Sequence, residues 1–139
     1  MCSWGPAVLI CVDDDVMAVG LNRLQPHELT GHTRILIKTR NSAFIRDSEF
    51  VKDYTYLAPD GAAYLASLGV KLVGVDYFSV EQFHSGHHRT HRIAARAKDH
   101  HRRGLDLSAP PLGPYELARA AACVSAGLDG APARAVLVG

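Results

Sequence analysis

Cysteine is scarce in this sequence and shows no pattern. Cys2, Cys11 and Cys123 are the three that 139 residues carry, and no two stand at C-x-x-C spacing. That argues against a disulfide framework or a zinc knuckle, and it predicts a reducing, cytoplasmic setting. Long apolar runs are missing too: none approaches the roughly 18–20 residues of a membrane span. No basic segment precedes the first apolar stretch, so a secretory leader is not expected. Neither sign of charge dominates. Fifteen Lys and Arg against fourteen Asp and Glu leave a net charge of +1, which gives no global attraction to nucleic acid or to an anionic membrane. Internal repeats are absent.

What remains is the composition of one ordinary globular domain over residues 1–139, with 47% hydrophobic and 21% charged residues. One stretch organises it. Leu72, Val73 and Val75 form a short apolar run with β-branched residues, bounded by glycines, as a buried strand does. Before it, residues 59–69 read as a helix, with Pro59 in a first turn and Gly69 at the left-handed position that ends a helix. Helix, glycine and buried strand predict an α/β core. Asp76 and Ser79 then fall at the strand's end, where such folds place sites or the groups that support them.

The rest of the chain fits around that unit. Ala7 to Val12 reads as a strand, closed by Asp13, Asp14 and Asp15. Three adjacent acids can hold a hard cation, but a solvated turn is the commoner outcome. Gln25 to Leu29 has room for one helical turn, Thr30 to Thr33 for a loop, and Arg34 to Thr39 alternates as a second strand. Residues 40–55 are polar with Phe44, Ile45, Phe50 and Val51 interspersed. They predict a loop with a short helix, open to use as a lid. Its aromatics are expected to pack on their own domain rather than on a ligand. Tyr115 to Val124 is alanine-rich and fits strand or helix; Arg134 to Val138 fits a final strand.

Residues 84–103 differ in character. Six of the eight histidines lie there (His84, His87, His88, His91, His100 and His101), interleaved with six Lys and Arg against Asp99 alone. His84, His87, His88 and His91 have helical spacing, and imidazoles at i and i+4 can bind zinc. The basic residues suit phosphates, although no stacking platform accompanies them. Without a carboxylate or thiolate partner, a solvated segment is the plainer expectation.

Six strings, in order, give the chain a family resemblance. They are Gly5 to Val8, Arg34 to Ser42, Leu68 to Glu81, Gly104 to Ser108, Tyr115 to Leu117 and Asp129 to Leu137. Together they resemble the cyclase family of metal-dependent hydrolases, which includes kynurenine formamidase (arylformamidase) and isatin hydrolase. The resemblance covers the later part of that family's domain. It implies a swivelling β/β/α fold, truncated at its N-terminal side, and usually a homodimer. It also implies hydrolysis of a small-molecule amide or lactam, such as N-formylkynurenine, by water on a divalent metal, often zinc. The family's main ligand motif, H-x-G-T-H-x-D, belongs upstream of the first strand, and this sequence does not contain it. By position His91 matches a later metal ligand, whereas Arg103 stands where the family has a ligand glutamate. A guanidinium there opposes a cation. Catalysis by this chain alone is therefore not expected. The alternatives are a degenerate non-catalytic fragment, a module that pairs with an intact relative, or a histidine-rich metal-binding surface.

The histidine tract suggests a further expectation. Asp-His-His-Arg-Arg-Gly can be encoded so that the next reading frame gives Ile-Ile-Ile-Val-Glu-Gly, and residues 119–124 can be shifted to Ala-Pro-Leu-Arg-Val. Both products are apolar strings of the family's type. Two out-of-frame segments would explain the histidines without a function and would leave the core poorer. The nucleotide sequence decides: if neither shifted frame encodes those strings, the idea fails.

Overall fold

The computed structural model describes residues 2–77, 79–83, 86, 89–96, 100–102, 105, 107–108, 110–121 and 133–138. Within these, side chains at 2–4, 91, 94–96, 100–102, 116–121, 133–136 and 138 lie outside the description. In chain order the elements are β1 (Cys2–Cys11), β2 (Ala18–Val19), α1 (Leu21–Leu24), β3 (Arg34–Lys38), a 3-10 turn (Arg40–Ala43), β4 (Tyr56–Leu57) and α2 (Pro59–Ser67). They continue with β5 (Leu72–Val75), α3 (Arg89–Arg96), β6 (His100–Arg102), β7 (Gly113–Ala121) and β8 (Ala133–Val138).

Six strands form one sheet in the order β6-β5-β3-β1-β7-β8. β6, β5, β3 and β1 pair in parallel, and β7 pairs antiparallel to β1 and to β8. β2 and β4 make a separate two-residue parallel ribbon. This is the expected α/β class.

Side-chain alternation divides the sheet into two faces. Ile10, Val12, Ile35, Ile37, Val73 and Val75 bury against Leu24 of α1 and against Ala62 and Leu65 of α2, with Ile93 of α3 packed alongside. Ala7, Leu9, Leu36 and Leu72 face the other way and are covered by Leu105, Leu107 and Tyr115. β5 is buried at every position, as a central parallel strand should be.

Helix α2 is set by its ends. Pro59 takes the first turn, where its missing N–H costs nothing. Gly69, at φ 79°, turns the chain out, and Val70 N–H donates back to the Leu65 carbonyl at 3.2 Å. In the helix's first turn, Gly61 lies directly against the Val19 carbonyl; any Cβ there would collide with backbone. The helix can therefore sit tightly on the β2–β4 ribbon.

Three expectations shift. The first strand begins at Cys2 rather than Ala7, because β7 pairs with it from Cys2↔Ala120 to Leu9↔Gly113. The helical turn expected over 25–29 lies upstream as α1, where the Asp60 carboxylate of α2 accepts from Leu21 N–H at 3.3 Å. The histidine tract holds a helix and a strand: β6 pairs in parallel with β5, His100 opposite Leu72 and Arg102 opposite Gly74. It is an edge strand, where polar residues are tolerated. Residues 115–121 resolve as strand, since β1 and β8 supply partners on both sides. Residues 122–124 lie outside the described residues.

Candidate functional site

Parallel pairing brings the carboxyl ends of β1, β3 and β5 to one edge, the edge at which open α/β sheets bind ligands. Asp76 follows β5 there and is fully buried. Thr39, the residue after β3, donates to it through its backbone N–H at 2.7 Å and its hydroxyl at 2.8 Å. Ser42 adds its N–H at 3.1 Å and its hydroxyl at 2.7 Å. Three of these bonds end on Oδ2 and one on Oδ1, so most of the carboxylate's accepting capacity is spent on the protein's own backbone and hydroxyls. Asp76 thus supports structure: it joins β5 to the corner after β3. Burial pushes its carboxyl above the ordinary value, and the Thr39 and Ser42 donors oppose that shift without reversing it.

The corner then fixes the loop at 40–57. Thr39 Oγ1 accepts from Asn41 N–H at 3.0 Å, capping the 3-10 turn. The buried Asn41 amide donates to the Thr55 carbonyl and accepts from Thr55 N–H, both at 2.8 Å. Thr55 Oγ1 donates to the Val16 carbonyl at 2.8 Å. Arg40 donates to Thr55 Oγ1 at 3.3 Å and to the Asp53 carbonyl, and its guanidinium lies 5.7 Å from the Phe44 ring centroid. Bonds at both ends anchor this loop to the corner after β3 and to Val16.

Its aromatics pack where the sequence placed them, on their own domain. Tyr77 is 5.4 Å from Phe44, edge on, and 5.6 Å from Phe50, stacked; Tyr54 is 4.9 Å from Tyr77. The Tyr77 hydroxyl accepts from Val51 N–H at 2.7 Å, and the Tyr54 hydroxyl donates to the Glu81 carbonyl. Ser79 Oγ accepts from Glu81 N–H at 3.1 Å, a supporting role like that of Asp76.

Glu81 extends the network to α3. Its buried carboxylate accepts from Thr90 N–H at 2.9 Å, in the helix's first turn, where the helix dipole favours negative charge. Thr90 Oγ1 donates to the Leu57 carbonyl at 2.9 Å. Nothing in the sequence alone marks Glu81 or Asn41. Each acts on a residue nine or more positions away, and no local spacing rule reports that.

The metal candidates are placed as follows. His91 lies on α3, in the turn that Glu81 and Thr90 hold, and its side chain is outside the described residues. His84, His87, His88 and Arg103 also lie outside them; His100 and His101 are on β6. Asp13, Asp14 and Asp15 are exposed, and Val16 N–H donates to the Asp13 carbonyl at 3.1 Å, so this is a solvated turn. Gly31, at φ 87°, sits in the loop expected at Thr30 to Thr33. Cys11 is half-buried beside Lys38, and burial pushes its thiol up, away from a reactive thiolate. Among the described residues no three His, Cys, Asp or Glu converge into a group that could hold a metal ion. Nor is any described helix long and apolar enough to cross a membrane.

No family model matches the sequence. Individual relatives do. A kynurenine formamidase of Geobacillus thermodenitrificans is 36% identical over 137 residues, which is 96% of this chain and 62% of that protein. One from Bacillus thuringiensis is 30% identical over 133 residues, with the same 96% and 62% covered. A third, from Bordetella avium, is 34% identical over 75% of this chain and 48% of that protein. Two solved structures share the fold at 28% identity. One, a potential metal-dependent hydrolase with cyclase activity, has a TM-score of 0.86 over 96% of this chain and 64% of its own. The other, a predicted metal-dependent hydrolase from Bacillus stearothermophilus, has a TM-score of 0.84 over 96% and 62%. The fold is thus the cyclase-type domain expected from the sequence, and the chain spans about 62% of the length of the first relatives it matches.

Proposed function

The chain belongs to the cyclase family of metal-dependent hydrolases, and on that premise we propose that it forms the sheet-bearing portion of an enzyme cleaving the amide C–N bond of an aryl formamide or lactam. For a formamide, water adds to the formyl carbon, the C–N bond breaks, and the products are the free aryl amine and formate. The relatives' name points to an N-formylkynurenine-like substrate. The observation that carries this reading is that the match to a kynurenine formamidase, at 36% identity, runs through 96% of the chain.

A divalent cation, zinc first, a homodimeric assembly and a cytoplasmic setting complete the proposal. The described residues do not themselves fit that cation, since no donor group converges among them. No catalytic step is therefore routed through it. The 139 residues contain no H-x-G-T-H-x-D, and Arg103 precedes the Gly104 to Ser108 string, where the resemblance implies a ligand glutamate. As a separate chain the protein is accordingly proposed to be inactive.

The test is an absorbance assay for kynurenine released from N-formylkynurenine, with and without added Zn²⁺. The chain alone should not exceed the uncatalysed rate. A chimera carrying the Geobacillus enzyme's preceding portion, with Arg103→Glu, should hydrolyse the substrate. A chimera that folds and binds zinc without turning over would sink the amide-hydrolase reading; turnover by the chain alone would sink the claim of inactivity.

A further inference from the structure

Methionine is rarer here than cysteine: Met1 and Met17 are the two that the sequence carries. Met17 immediately precedes β2, and 41% of its surface is exposed. Its sulfur has a partner all the same. Arg40 Nη2 donates to Met17 Sδ at 3.1 Å. The same guanidinium donates to Thr55 Oγ1 and to the Asp53 carbonyl and lies against the Phe44 ring. The main chain joins the same two segments. Tyr56 N–H donates to the Met17 carbonyl at 3.0 Å, and Thr55 Oγ1 donates to the carbonyl of Val16. Arg40 is thus a link between the two ends of the loop at 40–57 and the turn that leads into β2, and Met17 Sδ is the link's outer anchor.

A thioether is the weakest acceptor in that set. It is also the acceptor that an oxidant converts into a strong one, because a sulfoxide carries a polar S–O bond. Oxidising a buried methionine usually loosens a protein by making an apolar side chain polar. Met17 is placed for the opposite result. Its side chain is open to solvent, so the added oxygen displaces no core packing, and a cationic donor already stands at the sulfur.

We propose that Met17 is a site of modification by hydrogen peroxide, and that its sulfoxide tightens the loop at 40–57 by giving Arg40 a stronger acceptor. A lone pair of Sδ attacks one peroxide oxygen; the S–O bond forms and the O–O bond breaks. The departing hydroxide takes the proton of the transferred oxygen and leaves as water. Sulfur loses two electrons and the peroxide gains them. The site lies apart from the amide-hydrolase reading and does not depend on it.

The experiment treats the full chain with hydrogen peroxide, locates the added oxygen by tandem mass spectrometry, and follows amide exchange. One oxygen is expected on Met17. Exchange at Thr55 and Tyr56 should slow by about fivefold in the oxidised chain, while Val73 in β5 keeps its rate. Met17→Leu, which keeps an apolar side chain and has no sulfur, should show no peroxide effect at those two amides. Arg40→Leu should still gain the oxygen at Met17 without slowing them. Met17→Gln, which supplies a carbonyl oxygen in place of the sulfur, should slow both amides with no peroxide present. A folded chain that takes no oxygen at Met17 overturns the proposal, as does exchange at Thr55 and Tyr56 that is unchanged or faster after oxidation. The same slowing in Met17→Leu overturns it too, because another residue then carries the peroxide effect, and the same slowing in Arg40→Leu removes the guanidinium from the account.

Discussion

The two faces of β5's neighbourhood are held by different physics. Toward α2, Val73 and Val75 meet Leu65, Ala62 and Ile37 in an aliphatic layer whose cohesion is burial, non-directional and tolerant of shape. Past the strand's end, Asp76 meets Thr39 and Ser42 through four aimed bonds, and Glu81 meets Thr90 through another. A layer held by burial loses stability in proportion to the atoms removed. A corner held by a buried carboxylate loses far more when the acceptor goes, because its donors are left dry and unpaired. The edge at which ligands bind in this fold class is thus also the least forgiving part of the molecule.

That contrast fixes an order of effects. Asp76→Ala should be the most damaging change, at about 4 kcal/mol or more, since it orphans the Thr39 and Ser42 donors together. Leu65→Ala in the aliphatic layer should cost about 3 kcal/mol, the usual range for a buried leucine whose cavity partly collapses. Urea unfolding of both variants measures the order, and a larger loss for Leu65→Ala would break the contrast. Glu81→Ala should cost about 2 kcal/mol, and the loss should concentrate in α3. Amide exchange there should accelerate while β3 and β5 keep their protection; uniform acceleration would show the Glu81–Thr90 bond to be no local tether.

The smallest effect is in pH, and it sharpens the account of Asp76. Burial holds its carboxyl above the ordinary value, so the folded state binds that proton more tightly than the unfolded chain does. Asp76's contribution to the unfolding free energy should then fall as pH rises from the unfolded value, about 3.9, through the folded one, and it is read as the difference in slope between the native chain and Asp76→Asn. A difference of the opposite sign would mean that the Thr39 and Ser42 donors outweigh desolvation.

Much of this was legible where the determinants are local. Pro59 and Gly69 mark α2, and the apolar run at Leu72 to Val75 marks β5, because caps and periodicity act within a few residues. Gly5 and Pro6 hid the start of β1: both read as breakers, yet β7 pairs alongside them from the far end of the chain. The misplaced helical turn has a similar cause. Asp60 satisfies Leu21 N–H from another helix, so α1 begins early and ends at Gln25, which leaves Pro26 just beyond its C-cap. The β2–β4 ribbon has two residues on each side, too few for any alternation to register. At the site, Asp76 was visible as a carboxylate at a strand's end. The partners that decide its role, Thr39 and Ser42, lie 37 and 34 positions away.

The long separation between β1 and β7 also has a consequence in time. At about 5–20 residues per second, a ribosome that has finished β1 needs on the order of ten seconds to deliver Ala120 opposite Cys2. β3 arrives early and takes one side of β1, leaving the other with a row of unpaired backbone donors and acceptors for that interval. β1 thus keeps one edge open until β7 emerges, so a nascent-chain chaperone that shields strand edges should engage this protein between the emergence of β3 and that of β7.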